Sequence, residues 1–176
     1  MTSPDDSPPG GDLFSAVYDE LRELANHRLS RERADHSLRP TELVHEVYYR
    51  LSKSPNLIVT GRAHLLGLAG RAMRRILVEH ARKKAALKRG GRPLRVTLDE
   101  AVAFTDADSI DILALDIALT RLADEDAPAA EVVQHKYFAG LTEPEIGELM
   151  GKSERWVRTQ WNFAKMWLRR ELDPER

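Results

Sequence analysis

The feature that most restricts the fold is the run GLTEPEIGELMGKSERW at residues 140–156, which holds two helix starts and one helix stop in close succession. Thr142 is placed to accept from the N–H groups of a first turn while Glu145, three residues on, reaches back to it, the reciprocal pattern that opens a helix. Ile146, Leu149 and Met150 supply its apolar face. Gly151 can take the left-handed conformation that closes a helix, and Ser153 can cap the next one. Two capped helices joined this tightly admit few arrangements: a plain helical hairpin, or a helix-turn-helix whose second helix lies in the DNA major groove.

On that second helix Val157, Trp161, Ala164 and Leu168 share one face, which is expected to pack on the preceding helices. The other face is polar, with Arg155, Arg158, Thr159 and Asn162 at i, i+3, i+4 and i+7. Arg suits guanine and phosphate, and Asn suits adenine, so this face has the chemistry of a base reader. A solvated hairpin would show the same spacing; the short turn and double capping favour DNA. Trp156, Phe163 and Trp167 exceed what a recognition helix needs, and serve either as a widened core or as a docking surface.

Upstream, apolar residues recur at helical spacing from Leu13 through Val17, Leu21 and Leu24. Pro40 and Thr41 open a second helix whose Leu43, Val44, Val47 and Leu51 form one stripe, and Pro55 and Asn56 end it. Residues 62–89 contain no proline and many Ala, Leu, Met and Arg, which predicts one long helix or two abutting ones. Its apolar positions include Leu65, Leu68, Ala69, Ala72, Met73, Ile76 and Leu77. Gly90, Gly91 and Pro93 stop it, the run LRVTL reads as extended, and Ser109 to Ala123 reads as a short helix before a break at Pro128. The fold class is therefore all-α.

A net charge of −1 hides an uneven distribution. Arg71 to Arg95 holds ten Lys or Arg and a single acid, Glu79, whereas Thr97 to Asp126 holds nine acids and a single base, Arg121. The basic block favours a polyanion, because neutralising phosphates releases condensed counterions. No Phe, Trp or Tyr occurs between Tyr49 and Phe104, so this helix lacks rings on which to stack bases. The acidic block is either a solvated linker or an imitation of nucleic acid inside a basic channel of a partner.

Several function classes are excluded. Absence of cysteine removes disulfides and thiolate metal sites and suits a reducing compartment. The opening MTSPDDSPPGGD lacks the charged-then-apolar order of a signal peptide, and no apolar run is long enough to span a membrane, so a cytoplasmic protein without membrane contact is expected. GELMGKS falls one residue short of a phosphate loop, and Tyr49 stands where a zinc-protease helix begun by His45-Glu46 needs its second histidine. No nucleophile, base and orienting group occur together, so no enzyme, cofactor or metal is expected.

With these residues in view, the chain resembles the bacterial sigma-70 family, in its short extracytoplasmic-function-like (group four) branch. The resemblance is carried by RPTELVHEVYYRL, by GRAHLLGLAGRAMRRILVEHARKKAALKRGG followed by VTLDEA, and by GLTEPEIGELMGKSERWVRTQW. It implies two small helical domains joined by an acidic linker. Residues 1–12 would be a flexible tail, 13–92 a region 2-like bundle, 93–127 the linker with a short helix, and 128–173 a region 4-like helix-turn-helix domain.

The resemblance also implies roles. Glu42, His45 and Glu46 would face core RNA polymerase. Arg71, Arg74, Arg75, Arg82, Lys83 and Lys84 would meet the −10 element of promoter DNA, and Arg155, Arg158, Thr159 and Asn162 the −35 element. The acidic stretch would thread toward the polymerase's RNA path. An anti-sigma protein or a regulatory kinase is a further partner class of such chains. The rival reading of the same residues is a stand-alone helix-turn-helix regulator that binds DNA without polymerase.

Overall fold

A computed structural model describes residues 11–30, 38–87, 93–97 and 109–173. Residues 1–10 of the tail expected over 1–12, the Gly90-Gly91 stop and residues 98–108 of the acidic stretch lie outside the described residues. Gly11 and Asp12 already belong to the first helix.

Three helices make the N-terminal layer: α1 (Gly11–Arg28), α2 (Pro40–Ser52) and α3 (Arg62–Leu87). Phe14, Val17, Leu21 and Ala25 bury one stripe of α1 against α2 and α3. Pro40 stands in the first turn of α2, where its missing N–H leaves no bond unmade, and the Glu42 carboxylate accepts from the Arg39 N–H at 3.0 Å. α3 is one uninterrupted helix, with Leu65, Leu66, Ala69, Met73, Ile76 and Leu77 buried along it. Leu68, expected in that stripe, is half-buried.

The run at LRVTL is extended, as its sequence predicts. β1 (Arg95–Thr97) pairs antiparallel with β2 (Ser109–Asp111), Val96 opposite Ile110. The Asp111 side chain accepts from the Leu113 N–H and starts α4 (Ile112–Glu125). α4 is amphipathic, and Ile112, Leu115, Leu119 and Leu122 are buried in the core.

The chain breaks at Asp126, not at Pro128. Asp126 caps α5 (Ala127–Val133) through the Ala129 N–H, so Pro128 falls in the first turn, a position that tolerates it. α5 runs straight into a π-helical turn, Gln134–Phe138. Tyr137 and Phe138 point inward there and are fully buried.

α6 (Glu143–Met150) and α7 (Glu154–Leu172) complete the chain. Thr142 and Glu145 form the reciprocal cap, Gly151 closes α6 at φ 65°, and the Ser153 hydroxyl accepts from the Trp156 N–H at 3.1 Å. A Cβ on Gly147 would stand 2.7 Å from the Lys152 carbonyl oxygen, so the closeness of the turn depends on that glycine as well. Val157, Trp161, Ala164 and Leu168 are buried, and α7 packs on α4, α5 and α6. The other three aromatics divide: Trp167 is buried and its indole N–H donates to Glu125, Trp156 is half-buried, and Phe163 is exposed.

Among the described residues, buried side chains of α1 to α7 and of β1 and β2 join in one core. α3 is its spine. A Cβ on Gly70 would lie 2.8 Å from the Ala139 N and 2.9 Å from the Phe138 carbonyl carbon, so α3 and the π turn touch backbone to backbone.

Candidate nucleic-acid interface

The 26 residues of α3 give just over seven helical turns, enough to set side chains at residues 71, 74, 75 and 82 along one side. Arg71, Arg74, Arg75 and Arg82 line a cleft of about 600 Å³, whose opposite wall is built from α4, α5 and the start of the π turn. Lys83 and Lys84 do not line it. Four of the six cations expected at the −10 element therefore meet at one cleft.

The cleft's other wall carries acids. Arg74 donates through Nε to the Asp116 carboxylate at 2.8 Å and through Nη2 to the Asp116 carbonyl oxygen at 3.2 Å. Its third nitrogen reaches Gln134 Oε1 at 3.4 Å. The second Asp116 carboxylate oxygen lies 3.8 Å from Arg82, and Arg71 pairs with Glu131 at 2.8 Å. Asp116, Glu131 and Gln134 are site residues that sequence reasoning did not single out. For Asp116 the signal was the acidic run following the basic one, which shows opposite charge but not which residues meet; Glu131 and Gln134 lie past that run.

On α2 the expected polymerase-facing residues are tied locally. Glu42 is the exposed capping acid, His45 Nε2 lies 3.3 Å from the Tyr18 hydroxyl, and Glu46 accepts from Arg50 at 3.0 Å. Arg50 also grips Glu79 of α3 with two nitrogens, at 3.0 and 2.6 Å. That fork lowers the Glu79 pKa below the usual carboxylate value and raises that of Arg50. A single arginine thus bolts α2 to α3.

At the start of α7, Arg155, Arg158, Thr159 and Asn162 are all exposed. Arg158 donates to Glu143 at 2.9 Å and also to Glu154, bonds that raise its pKa. The Thr159 hydroxyl donates back to the Arg155 carbonyl oxygen at 2.9 Å. The four expected residues therefore share one solvent-facing surface, with Arg158 already held by acids.

Two further groups link the N-terminal layer to the C-terminal helices. Arg62 pairs with Glu20 of α1 and with Glu145 of α6. His135 is 3% exposed, its Nε2 is 3.5 Å from Glu131, and its Nδ1 is buried without a hydrogen-bond partner. Burial pushes its pKa down. Among the described residues no group of acids and histidines could hold a metal ion, and no helix is long and apolar enough to cross a membrane.

A family model described as ECF sigma factor matches residues 5–174. No curated protein and no solved structure matches the chain.

Proposed function

The chain belongs to the ECF sigma factor family, whose members serve transcription initiation and are not themselves catalysts, and from that membership we propose that it is a dissociable promoter-specificity subunit of RNA polymerase. Residues 13–92 form the unit that binds core polymerase and the −10 element, and residues 128–173 the unit that reads the −35 element. α6, its glycine-closed turn and α7 act as the helix-turn-helix, with Arg155, Arg158, Thr159 and Asn162 toward base edges. Arg71, Arg74, Arg75, Arg82, Lys83 and Lys84 of α3 take the −10 DNA, while Glu42, His45 and Glu46 of α2 face the polymerase. A protein of this kind works in the cytoplasm, where an anti-sigma protein or a kinase can control it.

The observation that carries this reading is the presence, in one chain matched almost end to end by the family, of two cationic faces on different helices. A stand-alone regulator needs only the face on α7. Run-off transcription with purified core polymerase on a promoter library tests the proposal. Initiation at a defined promoter class only when this chain is added is the expected result; no initiation from a competent core overturns it.

A further inference from the structure

Another cavity, of about 490 Å³, lies where the first half of α3 meets α5, the π turn and the turn between α6 and α7. Of its lining, only Arg71 is given a part in DNA or polymerase binding above. Leu68, Pro128, Leu149, Met150 and Trp156 make its sides apolar, and its size falls in the range of small-molecule sites, roughly 300–1,000 Å³.

The polar groups of the lining define what it can hold. His135, 3% exposed, sets its Nε2 3.5 Å from Glu131 Oε1. Burial disfavours the charged ring, and a carboxylate only accepts, so Nε2 carries the single proton and Nδ1 is left as an acceptor. That Nδ1 is buried and has no donor. A Cβ on Gly67 would stand 3.3 Å from it, so this edge of the ring borders Gly67, itself part of the lining. On His64 the Nδ1 accepts from the Thr60 N–H at 3.2 Å, which leaves its Nε2–H to donate. The Lys152 ammonium lies 5.4 Å from the Trp156 ring centroid and has no carboxylate partner among the described residues. Glu131, the acid of the lining, is already engaged by Arg71 at 2.8 Å. The uncompensated charge is therefore positive, at Lys152, and the uncompensated buried atom is an acceptor, at His135. A ligand that answers both is anionic at one end, carries a donor at the other and has a flat apolar body between them.

We infer that this cavity is a binding site for a small aromatic carboxylate bearing a ring hydroxyl, with the carboxylate at Lys152, the ring against Trp156 and the hydroxyl donating to His135 Nδ1. Met150, whose unbranched side chain adapts readily, gives way as the ring enters. A buried acceptor left unpaired is costly, so the hydroxyl brings selection as well as affinity: the analogue without it leaves Nδ1 as it was. The site goes beyond promoter recognition and gives the chain a small-molecule ligand of its own.

The test titrates the isotope-labelled full chain with para-hydroxycinnamate and para-hydroxybenzoate, and with cinnamate and benzoate, which lack the hydroxyl. The expected result is a saturable shift of the Trp156 indole N–H resonance, assigned by its loss in Trp156→Phe, with each hydroxy acid binding about tenfold more tightly than its parent. Lys152→Gln should weaken binding about tenfold, whereas Lys53→Gln, the same charge change at the end of α2, should not. Gly67→Ala places a methyl 3.1 Å from His135 Cε1 and 3.4 Å from Leu149 Cδ2, fills the floor of the cavity and should abolish binding without any change of charge. Should that variant lose its helical circular dichroism, exposed Lys152 decides instead. No saturable shift with any of these acids overturns the inference, and so does an affinity that neither the hydroxyl nor Lys152→Gln alters.

Discussion

The guanidinium of Arg28 lies 4.1 Å from the ring centroid of Tyr137, and its Nε donates to the carbonyl oxygen of the same residue at 3.1 Å. Arg28 closes α1 and is 3% exposed; Tyr137 sits in the π turn, and its hydroxyl donates to the Thr97 carbonyl oxygen of β1 at 3.1 Å. One tyrosine therefore ties together the last turn of α1, the short sheet and the widened turn after α5. A π turn shifts the backbone pairing by one residue and leaves carbonyls that need other donors. Arg28 is such a donor.

Arg28→Ala is accordingly expected to destabilise the chain by about 3 kcal/mol, since it both orphans a buried carbonyl and empties space over a ring. Arg28→Lys should recover only part of this, because an ammonium cannot lie flat on the ring while donating sideways to the carbonyl. Urea unfolding followed by circular dichroism measures both. A loss under about 0.5 kcal/mol for Arg28→Ala, within the range of ordinary surface changes, would mean the contact is incidental.

The tight turn makes a second expectation. Gly151 is left-handed with nothing near its missing Cβ, so Gly151→Ala should cost about 1 kcal/mol of backbone strain. Gly147 sits inside α6, where alanine is normally the better residue, yet its Cβ would press on the Lys152 carbonyl oxygen. Gly147→Ala should therefore be the more harmful change, by about 1–3 kcal/mol, despite its better helix propensity. The order of the two urea midpoints decides the matter.

These contrasts show what was legible in the sequence. Thr142, Glu145, Gly151 and Ser153 act over three or four residues, so their spacing alone predicted the caps that the structure displays. The pairing of Arg74 with Asp116 spans 42 residues, and that of Arg71 with Glu131 spans 60; no local rule selects Asp116 among the nine acids of its stretch, or Glu131 beyond it. The π turn at QHKYF likewise has no composition signal, because it follows from what Tyr137 and Phe138 must reach. The aromatic excess on α7 was visible as an excess, but its division between buried Trp167 and exposed Phe163 depends on where α4 lies.

His135 makes stability depend on pH. Burial holds its pKa below the ordinary 6.5, against the pull of Glu131 and with a further push from Arg71. The unfolded chain therefore takes up a proton near pH 6.5 that the folded chain refuses. Stability is full above that value and falls as pH drops below it, by up to about 1.4 kcal/mol per pH unit. Glu79 and Glu145, whose pKa values are lowered from 4.5, add their own loss at still lower pH. Urea unfolding at about pH 7.5 and about pH 5.5 should show the drop in the parent chain and not in His135→Gln. An equal drop in both would assign it to other groups.

On α3, replacing Arg82, Lys83 and Lys84 together with alanine should flatten the salt dependence of promoter binding by the holoenzyme. Each lost phosphate contact removes about 0.9 from the slope of log K against log salt on duplex DNA. Only Arg82 lines the cleft, so Lys83 and Lys84 can reach phosphate without separation of α3 from α4. An unchanged slope would take this end of the helix out of the DNA interface.

Arg158 carries the sharpest expectation for α7. Its side chain is 56% exposed, and Glu143 and Glu154 hold its guanidinium across the first turns of α6 and α7. Such a frame fixes an arginine in one rotamer, which suits bidentate reading of a guanine, a contact that discriminates by about 1–3 kcal/mol. Arg158→Ala should therefore cut preference among −35 sequences by roughly tenfold or more while leaving core polymerase binding intact. Glu143→Gln loosens the same frame but also disturbs Lys136, which lies 3.5 Å from Glu143. Glu154→Gln is the cleaner companion: it releases one side of Arg158 and should blur selectivity less than the alanine does. Promoter-library selection with holoenzyme, beside a core-binding titration, separates the outcomes. If Arg158→Ala weakened core binding and left the −35 profile unchanged, the polar face of α7 would be a protein-docking surface, and half-buried Trp156 and exposed Phe163 would be its apolar companions.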